Sequence, residues 1–134
     1  MSQPFAEFDQ TYRPLIAIQF NGAPRSEEEF NQFLQKLIDL YIPHERIRLL
    51  FDATRLGIVG ATYIRDMINF MLSEDIIGYT QTYLERCALV IPNQTVQNVV
   101  NMILAVASPP VEINCLAGFD EGFLWLQDVN VFPA

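Results

Sequence analysis

Basic residues are scarce in this 134-residue chain: eight Lys and Arg stand against sixteen Asp and Glu, a formal net charge of −8. Neutralising phosphates takes clustered Lys and Arg, so this balance argues against nucleic-acid binding and disfavours an anionic membrane surface. Soft metal ligands are equally few. One His and two Cys leave too small a set for a zinc or iron–sulfur site, and neither a metal nor a cofactor is expected. No apolar run approaches the roughly 18–20 residues of a membrane helix. The start, Met1-Ser2-Gln3-Pro4, has neither the basic stretch nor the long apolar core of a secretory signal. These absences point to a cytoplasmic protein with no integral membrane segment. Cys87 and Cys115 are accordingly expected as free, mostly buried thiols, placed at opposite edges of a sheet and beyond the ~7 Å Cα spacing a disulfide needs.

What the chain has is apolar residues, 51% hydrophobic against 18% charged. At 15.3 kDa that suffices for one self-sufficient core, which excludes disorder and a disulfide scaffold. Leu15-Ile16-Ala17-Ile18-Gln19-Phe20 reads as a strand closed by Asn21-Gly22, and Phe5-Ala6-Glu7-Phe8 as a weaker strand antiparallel to it. A helix opens at Ser26, with Glu29 three residues on as in a capping box and acids in the first turn. Phe30, Phe33, Leu34, Leu37, Ile38 and Tyr41 form its buried stripe, and Pro43 stops it. Ile47-Arg48-Leu49-Leu50-Phe51 is a short strand closed by Asp52. A second helix carries Ile64, Met67, Ile68 and Met71 and runs to about Glu74, with a short helical piece near Thr80 to Leu84. Cys87-Ala88-Leu89-Val90-Ile91 is continuously apolar, as a strand covered on both faces requires. Pro92-Asn93 opens a third stripe of Val96, Val99, Val100, Ile103, Leu104 and Ala107. Val111, Ile113 and Cys115 then alternate with polar residues, and a last helix spans about Phe119 to Leu126.

The order β-β-α-β-α-β-α-β-α predicts one α/β domain over residues 1–134: a single, mainly parallel sheet of four to five strands with helices packed on it. Catalytic patterns are missing from it. His44 has no Gly-x-Ser-x-Gly elbow or paired thiol beside it, and Leu56-Gly57-Ile58-Val59-Gly60 fits neither phosphate-loop spacing. The chain therefore reads as non-catalytic. One segment stands out: Asp52 at the carboxyl end of a central strand and the Thr54 hydroxyl two residues on, at the rim where α/β proteins bind ligands. Amides of the following helix and Arg55 would accommodate a phosphoryl group on Thr54, while Asp52 would oppose one; alternatively Asp52 caps the turn and Thr54 bonds locally.

Four stretches resemble the SpoIIAA-like branch of the STAS fold, the anti-sigma-factor-antagonist fold also compared with lipid-binding CRAL-TRIO (Sec14) domains. They are Arg48 to Thr54, Tyr83 to Asn93, Ser108 to Ile113 and Phe119 to Leu126. In phosphorylatable antagonists the strand ends in Asp-x-Ser-Gly or Asp-x-Thr-Gly. The resemblance thus implies Asp52 and Thr54 at the Asp and phosphoacceptor positions, with Arg55 standing where the family has Gly. It implies a regulatory module that works by protein contact, through Asp52, Arg55, Gly57, Gly60 and the second helix. That helix carries Phe70 and Leu72 outside its narrow stripe, so it is apolar on more than one face. Its residues Tyr63, Ile64, Met67, Phe70 and Met71 could meet a partner, contact a second copy in a dimer, or hold a small apolar or lipid-like ligand against the sheet; alternatively the next segment covers them.

Overall fold

The computed structural model describes residues 4–57 and 60–127; Met1 to Gln3, Ile58, Val59 and residues 128–134 lie outside the described set. The elements are β1 (Ala6–Asp9), β2 (Leu15–Phe20), α1 (Glu27–Asp39), β3 (Ile47–Asp52), α2 (Gly60–Met71), α3 (Ile77–Tyr83), β4 (Leu84–Val90), α4 (Gln94–Ala107), β5 (Glu112–Leu116) and α5 (Phe119–Gln127). Five strands make one sheet in the order β1-β2-β3-β4-β5. β1 is antiparallel to β2, and every later pair is parallel. The expected mainly parallel α/β sheet is what the chain forms.

Each parallel crossover moves one strand in the same direction, and right-handed connections of that kind place their helices on one face. Phe33 and Leu37 of α1, Ile64 and Met67 of α2, and Val96 and Val100 of α4 accordingly share a core with Ile16, Leu49, Phe51, Cys87 and Leu89. The opposite face of β3 and β4 is covered by α5, through Leu50, Ala88, Val90 and Leu126. Phe5, Phe20 and Phe33 meet with ring centroids 5.2–5.3 Å apart and lock β1 onto the α1 side. At the start of α1 the Ser26 hydroxyl accepts the Glu29 amide at 3.1 Å. Glu29 reaches back to the Arg25 amide at 2.7 Å, one residue earlier than the usual box.

Three expectations need correction. Cys87 and Cys115 are not at opposite edges. Because consecutive strands are neighbours, they lie on adjacent strands and on the same face, Cys115 opposite Leu89 and Cys87 opposite Ile113, and both are free. The second helix ends at Met71 rather than near Glu74, and the short helical piece expected near Thr80 to Leu84 is α3, which starts at Ile77 and ends at Tyr83. β4 begins at Leu84, three residues before Cys87, because its charged start is paired. Register shifts beside Ile47, where Leu84 and Arg86 face consecutive β3 residues. The intervening Glu85 meets Arg48 at 3.2 Å and Arg46 at 3.5 Å. Arg48 and Arg86 then donate to the last carbonyls of α5, Arg48 to Leu126 at 3.2 Å and Arg86 to Trp125 at 2.9 Å. Cations at a helix C-terminus oppose its partial negative charge, so this pair anchors α5 on the sheet.

Candidate functional site

The ends of β3 and β4 are held level. The Ala53 amide donates to Val90 O at 3.0 Å, and Ile91 N donates to Leu116 O at 2.8 Å. Immediately beyond, Asp52 Oδ1 accepts both the Thr54 amide at 3.0 Å and the Thr54 hydroxyl at 2.5 Å. The carboxylate thereby closes a tight turn and fixes the direction of the exposed Thr54 side chain. Arg55 Nη1 reaches Asn21 Oδ1 at 3.2 Å and ties the turn to the end of β2. Gly57 has φ +65, a left-handed conformation costly for residues with a Cβ. At Gly60 a Cβ would lie 2.8 Å from that of Leu56, so the glycine lets α2 begin directly against the turn.

Thr54, Gly57 and Gly60 form one wall of a cavity of about 250 Å³. The opposite wall is Ile91, Pro92, Asn93 and Val96, where Asn93 caps α4 by accepting the Val96 amide at 3.0 Å. Ala53 and Ile64 complete an apolar floor beneath a mouth carrying Thr54 and Asn93. Thus Thr54, Gly57 and Gly60 come together with Ile64, whereas Asp52 and Arg55 flank the mouth without lining it. Sequence reasoning missed the wall from Ile91 to Val96. Its signal was there: Pro92-Asn93 follows an apolar parallel strand and so falls at the same end of the sheet as Asp52.

The remaining α2 positions divide between core and surface. Ile64, Met67 and Met71 are at most 4% exposed and packed against the sheet. Half-buried Tyr63 faces α1, its ring 5.8 Å from Phe30 and 6.4 Å from Phe5. Phe70 is also half-buried. A contact surface on α2 would therefore present Tyr63 and Phe70, with the other three behind them. A wider, shallower depression of about 640 Å³ lies between β1 and the end of α1, away from the rim, where Glu7, Arg13, Lys36 and Asp39 join the apolar Phe8, Leu40 and Ile42.

The perturbed groups sit elsewhere. Burial pushes the Cys87 thiol up and Cys115 up to about 11, so both are protonated at neutral pH and poor nucleophiles. Burial raises Tyr41 to about 12. Among the described residues, no group of three or more His, Cys, Asp and Glu is arranged to hold a metal ion, and no helix is long and apolar enough to cross a membrane.

One solved structure superposes on nearly the whole chain. It is an uncharacterised protein of the DUF3478 family with a SpoIIAA-like fold from Shewanella loihica PV-4, with a TM-score of 0.61 over 94% of this chain and 98% of that one. The fold is SpoIIAA-like. At 15% identity the likeness shows the fold alone. No protein-family model matches the SpoIIAA-like chain, and no curated protein matches it.

Proposed function

We propose that this SpoIIAA-like domain is a non-catalytic regulatory module that docks a partner protein at the β3–β4 rim and is switched by phosphorylation of Thr54. The observation that carries the reading is the Asp52–Thr54 turn: an exposed hydroxyl, held by a carboxylate, at the mouth of a cavity with an apolar floor. A phosphoryl group adds about −1.5 to −2 charge and removes the hydroxyl donor. Beside the Asp52 carboxylate both effects oppose the turn, so modification opens the rim, and Arg55 is the nearest cation on the loop to meet the new charge. Two states of one surface are what a regulatory contact requires.

The cavity size favours a protein partner. About 250 Å³ falls just below the ~300–1,000 Å³ usual for small-molecule pockets and suits an apolar side chain of a docked protein. The second reading, a small apolar ligand, rests on the apolar lining supplied by Ala53, Ile64, Ile91 and Val96, and would require α2 to move off the sheet. Phosphate-affinity electrophoresis of protein recovered from the cells that make it tests the switch. A retarded band that disappears in Thr54→Ala supports it, and retardation unchanged in Thr54→Ala removes Thr54 as the acceptor. Native mass spectrometry of the same material tests the second reading, which predicts a co-purifying apolar molecule.

A further inference from the structure

The two edges of the sheet differ in charge. β1 carries Glu7 and Asp9 on the same face, so any in-face antiparallel pairing of this edge with another copy sets acid against acid. Such charges are a usual protection for an exposed edge. β5 has no equivalent. Among the described residues it has a strand neighbour on one side only, and its sequence Glu-Ile-Asn-Cys-Leu holds a single charge, Glu112, paired with Arg86 at 2.9 Å. Helix α4, which leads into β5, has no charged residue over 14 positions. Its exposed polar side chains are Asn, Gln and Thr, which both donate and accept.

Backbone direction along β5 follows from one bond. Leu116 O accepts Ile91 N and so points toward β4. Alternation then directs the N–H and C=O of Ile113 and Cys115 to the open edge.

We infer that β5 is a self-association edge, pairing antiparallel with β5 of a second copy about a two-fold axis at Asn114. In that register Ile113 faces Cys115 of the other copy and the two exchange hydrogen bonds on each side of the axis, about four in all. Glu112 faces Leu116, so no like charges oppose. The two Asn114 amides face each other as a close, non-hydrogen-bonded pair whose side chains can both donate and accept. A second copy fits better than a charged partner, because a two-fold contact requires a self-complementary surface, and neutral amphoteric groups are self-complementary. The joined molecules would share one sheet of twice five strands, with the charge-free α4 helices on the same face. The pairing rests on the β5 backbone and does not depend on the proposed role of Thr54.

Light scattering and sedimentation of the full chain, from micromolar to submillimolar concentration, test the pairing. The mass is expected to rise from 15.3 kDa toward twice that value. Asn114→Lys and Asn114→Asp each set like charges face to face and should weaken association at least about tenfold. An equimolar mixture of the two should restore the dimer through the opposite charges. A mass fixed at 15.3 kDa throughout overturns the inference. So do variants that associate like the wild type, or folded variants whose mixture stays monomeric. Amide exchange of the wild type serves as the readout should the variants misfold: Ile113 and Cys115 should become protected as concentration rises, and unchanged exchange there refutes the pairing.

Discussion

Replacing Arg86 by Met tests how α5 is held on the sheet. Arg86 donates to Trp125 O at 2.9 Å, pairs with Glu112 at 2.9 Å, and places its guanidinium 4.4 Å from the centre of the Trp125 ring. A hydrogen bond from a charged donor contributes about 1.5–3 kcal/mol. Glu112 is 60% exposed, so that ion pair adds only about 0.2–1 kcal/mol. The cation–π contact contributes about 0.5–1 kcal/mol at a partly exposed site. Met keeps much of the apolar stem, and the three contacts share one side chain and are not additive, so the expected loss is about 2–3 kcal/mol. Trp125 is the only tryptophan in the chain and reports the change directly. In urea unfolding followed by its emission, Arg86→Met should lower the midpoint with the slope unchanged and alter the native spectrum. A loss under about 0.5 kcal/mol would refute the anchoring argument. So would a full loss with an unaltered native Trp125 spectrum.

Alkaline pH should unfold the protein progressively. Tyr41 is raised to about 12 and Cys115 to about 11, each mainly by burial, and Cys87 is raised as well. The folded state thus holds these protons more tightly than the unfolded chain. The stabilisation is complete below the unfolded values, about 8.5 for Cys and 10 for Tyr, and is lost as pH climbs through the folded ones. Tyr41 alone accounts for about 2–3 kcal/mol across pH ~10–12, so denaturation curves of Tyr41→Phe should be flatter there, and parallel curves would contradict the assignment. Gly122→Val should cost at least about 2 kcal/mol by thermal or urea unfolding, because even a Cβ meets Leu50 and Val90 at 3.3 Å. Unchanged stability would mean that α5 does not lie against those strands.

Much of this architecture was legible in the residues. Ser26 with Glu29 and the stripe through Phe33 and Leu37 define α1, and the unbroken run from Cys87 to Ile91 identifies a strand covered on both faces. What escaped depends on partners distant in sequence. Glu85 and Arg86 fall outside the apolar run that marks the strand from Cys87; Arg48, Glu112 and the α5 carbonyls supply their partners. The short helix expected near Thr80 to Leu84 is α3, but its start at Ile77 was not legible because no side chain caps it. The cysteines were misplaced because their separation follows from strand order, which neither thiol encodes locally. At the site, Asp52 and Thr54 were visible as a pair within three residues. The facing wall at Asn93 and Val96 is one strand and one helix start away, joined to them only by the folded sheet.

Amide hydrogen exchange of Thr54→Glu against the wild type distinguishes a switch confined to the rim from a loosened sheet. The substitution removes the donor to Asp52 and adds a negative charge beside it. Exchange should be faster at Thr54, Leu56 and Gly60, with Leu49 to Phe51 and Leu89 to Val90 as protected as before. An unaltered rim, or acceleration spread evenly through β3 and β4, would contradict the switch.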